Sequence, residues 1–412
     1  MKCNETTKKL IEAELYKLCD GEATRSIVGE YPITSTWKLA DILRTIAKAC
    51  LEHTSIKDVC DSTKNPSGDT VHKRCKELSW QKAELLANEW VSNISSRIIL
   101  PKKAFITVSI DFHQRPYYGD PSPDWVTGMK RKKGTNYAVA FMVVTITTKN
   151  IRCPLRILLI TKQRMKEKAA LISDLLGELS LHFPIRRVLL DRGFCQDDII
   201  QVLEERGLEW IIAAVRRSGV KKAYQMIKTT VEELAKEASI DVKDNLALGR
   251  WARKQGIDVF RVESVVTRKK GTPVPLVAAY VRHRTHNKNP TKRRTYSLFL
   301  YLTNINCSAR YIVKLYGKRW AIETDFRCIN DFQAVTNSTS PSLRLILYGL
   351  AVYFNALWIV FSVCENTLAE YSSLSIDETS RFLYKFSFQL VCIVRRFCRF
   401  VRDEILPLVI FR

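Results

Sequence analysis

The sequence predicts a mixed α/β fold: a sheet flanked by helices, preceded by an all-helical segment. Three observations predict it. Apolar residues recur at three- and four-residue spacing through the first hundred residues, short β-branched runs replace them from Ala104, and helices then alternate with strands as far as Val215.

Helical spacing covers Lys8 to Cys19, Thr36 to Glu52, Ser55 to Ser62, Asp69 to Leu78 and Trp80 to Ile98. The turn residues Thr63 to Gly68 separate two of these, so a helix-turn-helix is expected near 54–78. Its second helix would offer Thr70, His72, Lys73 and Lys76 to a DNA groove, and an ordinary helical hairpin is the competing account.

Phe105 to Asp111 reads as a strand, followed by Tyr137 to Thr147 and Leu155 to Thr161 with Lys149 and Asn150 at a hairpin tip. Next come a helix from Lys166 to His182, a strand from Val188 to Asp191, a helix from Asp197 to Arg206 and a strand from Trp210 to Val215. Past Arg216 the spacing shows three strands, Val259 to Thr267, Pro275 to Arg282 and Ser297 to Asn304. Basic turns join them; Arg282 to Arg294 alone holds six Lys or Arg and two His, a solvated loop or a phosphate-facing ribbon. Helix resumes at Ser308 and dominates to the C-terminus, where Arg395, Arg396, Arg399 and Arg402 form a basic stripe.

The expected organisation is a helical DNA-binding region over 1–100, a core split into 101–216 and 307–365, a β-rich basic insertion over 217–306, and a helical basic tail over 366–412. A chain of 412 residues is too long for one growing core. Lys and Arg number 66 against 42 Asp and Glu, a formal charge of +24 that attracts polyanions, nucleic acid first. Twelve scattered cysteines without a Cys-x-x-Cys pair read as reduced thiols, and Met1-Lys2-Cys3-Asn4 begins no secretory signal. Leu345 to Cys364 carries no charge and as a helix would span about 30 Å, so it is either a buried core helix, the preferred reading, or a membrane span.

Position singles out three acidic residues. Asp111 and Asp191 each close an apolar run, and carboxylates at the ends of neighbouring strands converge at a sheet edge, where they suit divalent cations. An Asp capping a turn is the alternative reading. Glu323 shares a predicted helix with Tyr316 and Arg319, which recur at three- and four-residue steps on one face. An intrahelical ion pair would account for Arg319 and Glu323 alone. Cys50, His53, His72 and Cys75 could also ligate a structural zinc. Neither a glycine-rich phosphate loop nor a nucleophile elbow is present, so ATP, dinucleotide and serine-hydrolase chemistry have no support.

With these residues in view, the chain resembles DDE-type insertion-sequence transposases, in the branch marked by a Tyr, Arg, Glu, Lys signature and a β-rich insertion. The resemblance rests on the strand ending in Asp111, on Arg115-Pro116-Tyr117-Tyr118-Gly119, on Asp191-Arg192-Gly193-Phe194, and on Tyr316 to Glu323. The signature lysine falls on Asn330. The resemblance implies a ribonuclease-H-like core in which Asp111, Asp191 and Glu323 bind two divalent cations, Mg2+ or Mn2+, for in-line displacement. Water would free a 3′-hydroxyl at the element end, and that hydroxyl would attack target DNA. Tyr316, Arg319 and Arg192 would position a phosphate or a flipped base. Further implied are double-stranded DNA as partner, a homodimer assembled on it through the C-terminal helices, and a cytoplasmic, DNA-associated protein outside any membrane. A related nuclease lacking strand transfer and a non-catalytic DNA-binding descendant are the alternatives.

Overall fold

The computed structural model describes residues 37, 39–60, 66–96, 105–132, 134–147, 152–266, 273–284 and 294–372. The helix expected over Lys8 to Cys19, the tip at Lys149 and Asn150, the stripe from Arg395 to Arg402 and most of the basic loop after Arg284 lie outside them.

Four helices come first: α1 (Leu39–Leu51), α2 (Ile56–Cys60), α3 (Gly68–Glu77) and α4 (Trp80–Ser95). Ser67 and Ser79 start α3 and α4, their hydroxyls accepting the backbone N–H of Thr70 and Lys82, which would otherwise be unpaired at a helix start. The strands are β1 (Ile106–Tyr117), β2 (Thr127–Lys132), β3 (Thr135–Thr147), β4 (Arg152–Ile160), β5 (Ile185–Leu190), β6 (Glu209–Ala213), β7 (Val259–Val266), β8 (Pro273–Arg284) and β9 (Arg294–Thr303). Between them lie α5 (Lys162–Lys166), α6 (Lys168–Ser180), α7 (Asp197–Glu205), α8 (Ser218–Glu237) and α9 (Asn245–Lys254). The closing helices are α10 (Ala309–Gly317), α11 (Trp320–Asp331) and α12 (Pro341–Ser372).

All nine strands form one mixed sheet in the order β2-β3-β1-β5-β6-β9-β8-β7, with β4 also on β3. β1, β5 and β6 are parallel, while β3 and β9 run antiparallel to their neighbours. The strands expected past Arg216 therefore continue the same sheet through the β6–β9 pair. Helices cover both faces, as a mixed α/β sheet with two apolar faces requires. On one, Val108, Ile110, Ala140 and Met142 pack with Ile172, Leu176, Ile199, Leu203 and Val231 of the α6 to α8 layer. On the other, Phe141, Val143 and Ile157 join Ile46, Val71, Trp90 and the α12 residues Leu347 to Leu357 in a single core.

β4 has a free edge, and α4 covers it. Asn88 accepts the Ile157 N–H and donates to the Ile157 carbonyl, both at 2.8 Å, and Glu84 accepts the Leu159 N–H at 2.6 Å. Two side chains thus take the place of a further strand, satisfying backbone groups that would otherwise stay unpaired.

Four local expectations change. Asp111 does not end its strand: β1 runs on to Tyr117 because β3 pairs with it throughout, Val139 opposite Arg115 and Tyr137 opposite Tyr117. The stretch after Arg216, read for strands alone, opens with helices α8 and α9. β2 was not foreseen. Tyr316 and Glu323 lie on separate helices, since α10 ends at Gly317 and α11 begins at Trp320. In α12, Pro341–Ile359 is long and apolar enough to cross a bilayer, yet 83% of that stretch is buried within the protein.

Candidate active site

β1 and β5 pair in parallel up to Ile110 and Leu190, and the next residue on each is an aspartate. Beyond that point β1 continues along β3 while the chain after β5 turns away, so the two aspartates stand where the parallel strands part. The turn is a single 3-10 turn, Arg192–Phe194. Phe194 is fully buried and stacks on Phe112 with ring centroids 4.6 Å apart, which holds the Asp191 loop against the strand carrying Asp111. Asp191 makes no side-chain cap to its own turn, so the capping alternative does not describe it.

Glu323 and Arg319 arrive from the other end of the chain. Tyr316, 5% exposed at the end of α10, donates its hydroxyl to the Leu190 carbonyl at 3.2 Å and packs on Tyr301. The backbone then takes i to i−3 bonds, Arg319 N–H to Tyr316 O at 2.9 Å and Ile322 N–H to Arg319 O at 3.0 Å, a tightened step between α10 and α11. The expected common face survives this break. Arg319 lies 5.4 Å over the Tyr316 ring, 6% exposed.

One guanidinium meets all three carboxylates. Arg319 Nη1 is 2.7 Å from Asp111 Oδ2, and Nη2 is 2.8 Å from Glu323 Oε1 and 3.8 Å from Asp191 Oδ1. Burial opposes a charge on Arg319, but Tyr316 and the three carboxylates outweigh it and hold the side chain protonated. Asp111 is the most enclosed acid of the set. Burial pushes its pKa up to about 7, Arg319 works against that rise, and Asp191 and Glu323 add to it.

The donor chemistry fits a hard cation, since it is oxygen-only and has three carboxylates against one guanidinium. The carboxylates close around Arg319, and among the described residues no group of three His, Cys, Asp or Glu side chains stands ready to hold a metal. The same holds for the zinc expectation: Cys50 and Cys75 are core thiols, each pushed up to about 12 by burial.

The site continues along α11 in rungs that the sequence reading missed. Phe326, one turn beyond Glu323, stacks on His113 at 4.4 Å, and Asn330, one turn further, accepts a hydrogen bond from Arg115. His113 is also within 3.0 Å of the Tyr348 hydroxyl of α12. Strand alternation beyond Asp111 was the available signal, because residues 111, 113, 115 and 117 share a face.

The other named residues fall into two groups. Arg192 is exposed beside Asp191. Thr70, His72 and Lys73 sit apart on α3. Thr70 is engaged with the Ser67 cap, His72 lines a cleft with Lys57 and Lys76, and Lys73 is exposed. The helical pair α2–α3 is tied to the core by a bridge between Ser55 and Val335 and by the Ser342 hydroxyl, which donates to Leu78 O at 2.6 Å.

Residues 108–346 match the family model for the transposase DDE domain, a span that contains every residue of the carboxylate cluster. No curated protein matches the chain.

Proposed function

The chain belongs to the transposase DDE-domain family, and on that footing we propose that it cuts DNA at the ends of an insertion element and joins the freed 3′-hydroxyl to target DNA. What supports this most is the meeting of Asp111, Asp191 and Glu323, 212 residues from first to last, on the single Arg319 guanidinium.

In this reading Asp111, Asp191 and Glu323 would hold the divalent cations, Mg2+ or Mn2+. When bound, such ions activate the attacking oxygen and stabilise the leaving one. Arg319 turns the fork that now faces Asp111 and Glu323 toward a phosphate, whose geometry matches the guanidinium as well as a carboxylate does. Tyr316, buried with its hydroxyl on Leu190, acts through Arg319 by fixing where that fork points. Arg192 meets phosphate from the side of Asp191. Residues 101–216 and 307–365 form the catalytic core and 217–306 its insertion, while 1–100 adds DNA contacts through the exposed side of α3. Two copies assemble on the DNA, each engaging one element end, and the protein works where the DNA is.

The test is incubation of the full chain with labelled element-end DNA and Mg2+, beside Asp111→Asn. Metal-dependent cleavage by the native chain alone, followed by joining to a second duplex, is expected. Equal cleavage by both proteins overturns the site. Cleavage without joining identifies a nuclease, and binding without cleavage a non-catalytic descendant.

A further inference from the structure

Two arginines beside the carboxylate cluster lack a carboxylate of their own. Arg115 lies on the same face of β1 as Asp111, and its guanidinium donates to the neutral Asn330 amide oxygen. Arg344 lies in the first turn of α12. Its Nε donates to the Ser338 carbonyl at 2.6 Å, and its guanidinium sits 5.1 Å over the ring of Tyr117, two residues along β1 from Arg115. Burial weakens the hold of each on its proton, and for Arg344 the positive charge of Arg115 adds a smaller push in the same direction. Among the described residues, no Asp or Glu lies within ion-pair distance of either. Both remain partly open to solvent.

Half-buried guanidinium groups held side by side carry a desolvation and repulsion cost that proteins ordinarily offset with a carboxylate. Among the described residues no such offsetting anion is in reach, and the side chains are fixed by neutral partners: Asn330 for one, the Ser338 carbonyl and the Tyr117 face for the other. Such fixed, uncompensated forks match a phosphodiester oxygen pair. Four residues of strand separate Arg115 from Asp111, roughly 13 Å at about 3.3 Å per residue. From this geometry we infer that Arg115 and Arg344 form a second anchoring site, taking a backbone phosphate of the DNA roughly 13 Å from the bond cut at the carboxylates. The inference rests on the proposed DNA-processing role. Asn330 and Ser338 are positioning residues in it, setting the direction of each fork.

The experiment measures binding of the full chain to a labelled mixed-sequence duplex, in EDTA, across a chloride series. Arg115→Gln and Arg344→Gln are each expected to make the slope of log affinity against log salt shallower, and together by about 0.9, the loss of one phosphate contact. Arg115→Lys should restore the slope. Asn330→Asp keeps the arginine but supplies a competing carboxylate, so it should also flatten the slope. Thermal melting accompanies each variant. A native slope in folded Arg115→Gln and Arg344→Gln overturns the inference, as does a loss of melting temperature in either with the slope intact. If millimolar inorganic phosphate protects the native chain from heat through these arginines while DNA binding ignores them, the site takes a small anion and the DNA assignment falls. Cleavage is not read, so failure of the catalytic proposal leaves a distinct signature: an arginine-dependent slope in a chain that cuts nothing.

Discussion

Arg319 Nη1 stands 2.7 Å from Asp111 Oδ2, across 208 residues of sequence, and this contact makes one site out of a strand and a helix junction. The other nitrogen of the same fork holds Glu323. A lysine ammonium is a compact point charge without the planar fork that spans these two carboxylates or a phosphate. Arg319→Lys is therefore expected to lower single-turnover cleavage at least tenfold. Arg319→Ala should in addition destabilise the fold by about 3 kcal/mol, because it leaves the nearly buried Asp111 without its partner; urea unfolding measures this. A fully active Arg319→Lys would show that the fork is unnecessary.

Phe194 holds the second aspartate by its stack on Phe112. Phe194→Ala should cost about 3 kcal/mol as a large-to-small change in a buried site. Because Asp191 would lose its fixed place, cleavage should need a higher Mg2+ concentration to reach half-maximum. A metal titration of cleavage checks it, and an unchanged midpoint would separate the stack from the site.

His113 gives the fold a dependence on acid. Burial, with Arg115 and Lys132 nearby, pulls its pKa down to about 3, below the value of 6.5 for the unfolded chain. Between those values the unfolded chain binds the extra proton, so the stability contributed is complete above pH 6.5 and is lost as the pH falls toward 3. From pH 7 to pH 5 the loss attributable to His113 should be about 2 kcal/mol. His113→Phe is expected to flatten that part of the urea-measured pH profile. Parallel profiles for both proteins would show the imidazole is not responsible.

At Gly349, α12 packs tightly against α4. A Cβ there would lie 2.5 Å from the Ala87 Cβ and 3.2 Å from its Cα, and Trp90 closes the third side. Gly349→Ala should destabilise by about 1 to 3 kcal/mol through overpacking, with Gly349→Leu worse. Thermal unfolding decides it; a neutral Gly349→Ala would mean the two helices separate at little cost.

Asp191 and Glu323 were legible in the sequence for different reasons. Asp191 follows the buried run Val188 to Leu190, and Glu323 stands in a spaced set with Tyr316 and Arg319 that survives the break between α10 and α11. Asp111 was legible as a residue, but its place in β1 was not. His113, Gln114, Arg115 and Pro116 read as the end of a strand, and only pairing with β3 keeps them extended. Helix α8 carried a readable signal in Val220, Ala223, Ile227, Val231 and Ala235, all buried at three- and four-residue steps. Arg115 and Asn330 are 215 residues apart, and no local pattern pairs them.

The span shared with the family starts inside β1 and stops inside α12, while the apolar core around Trp90, Phe141 and Tyr348 draws on residues outside both limits. Trimming the protein to that span would strip the cover from Phe141, Val143 and Tyr348 and halt α12 partway, baring a greasy surface prone to clumping. The leading helices are in this sense an integral wall of the catalytic unit, and shortened forms of this chain should come out insoluble rather than merely weak in DNA binding.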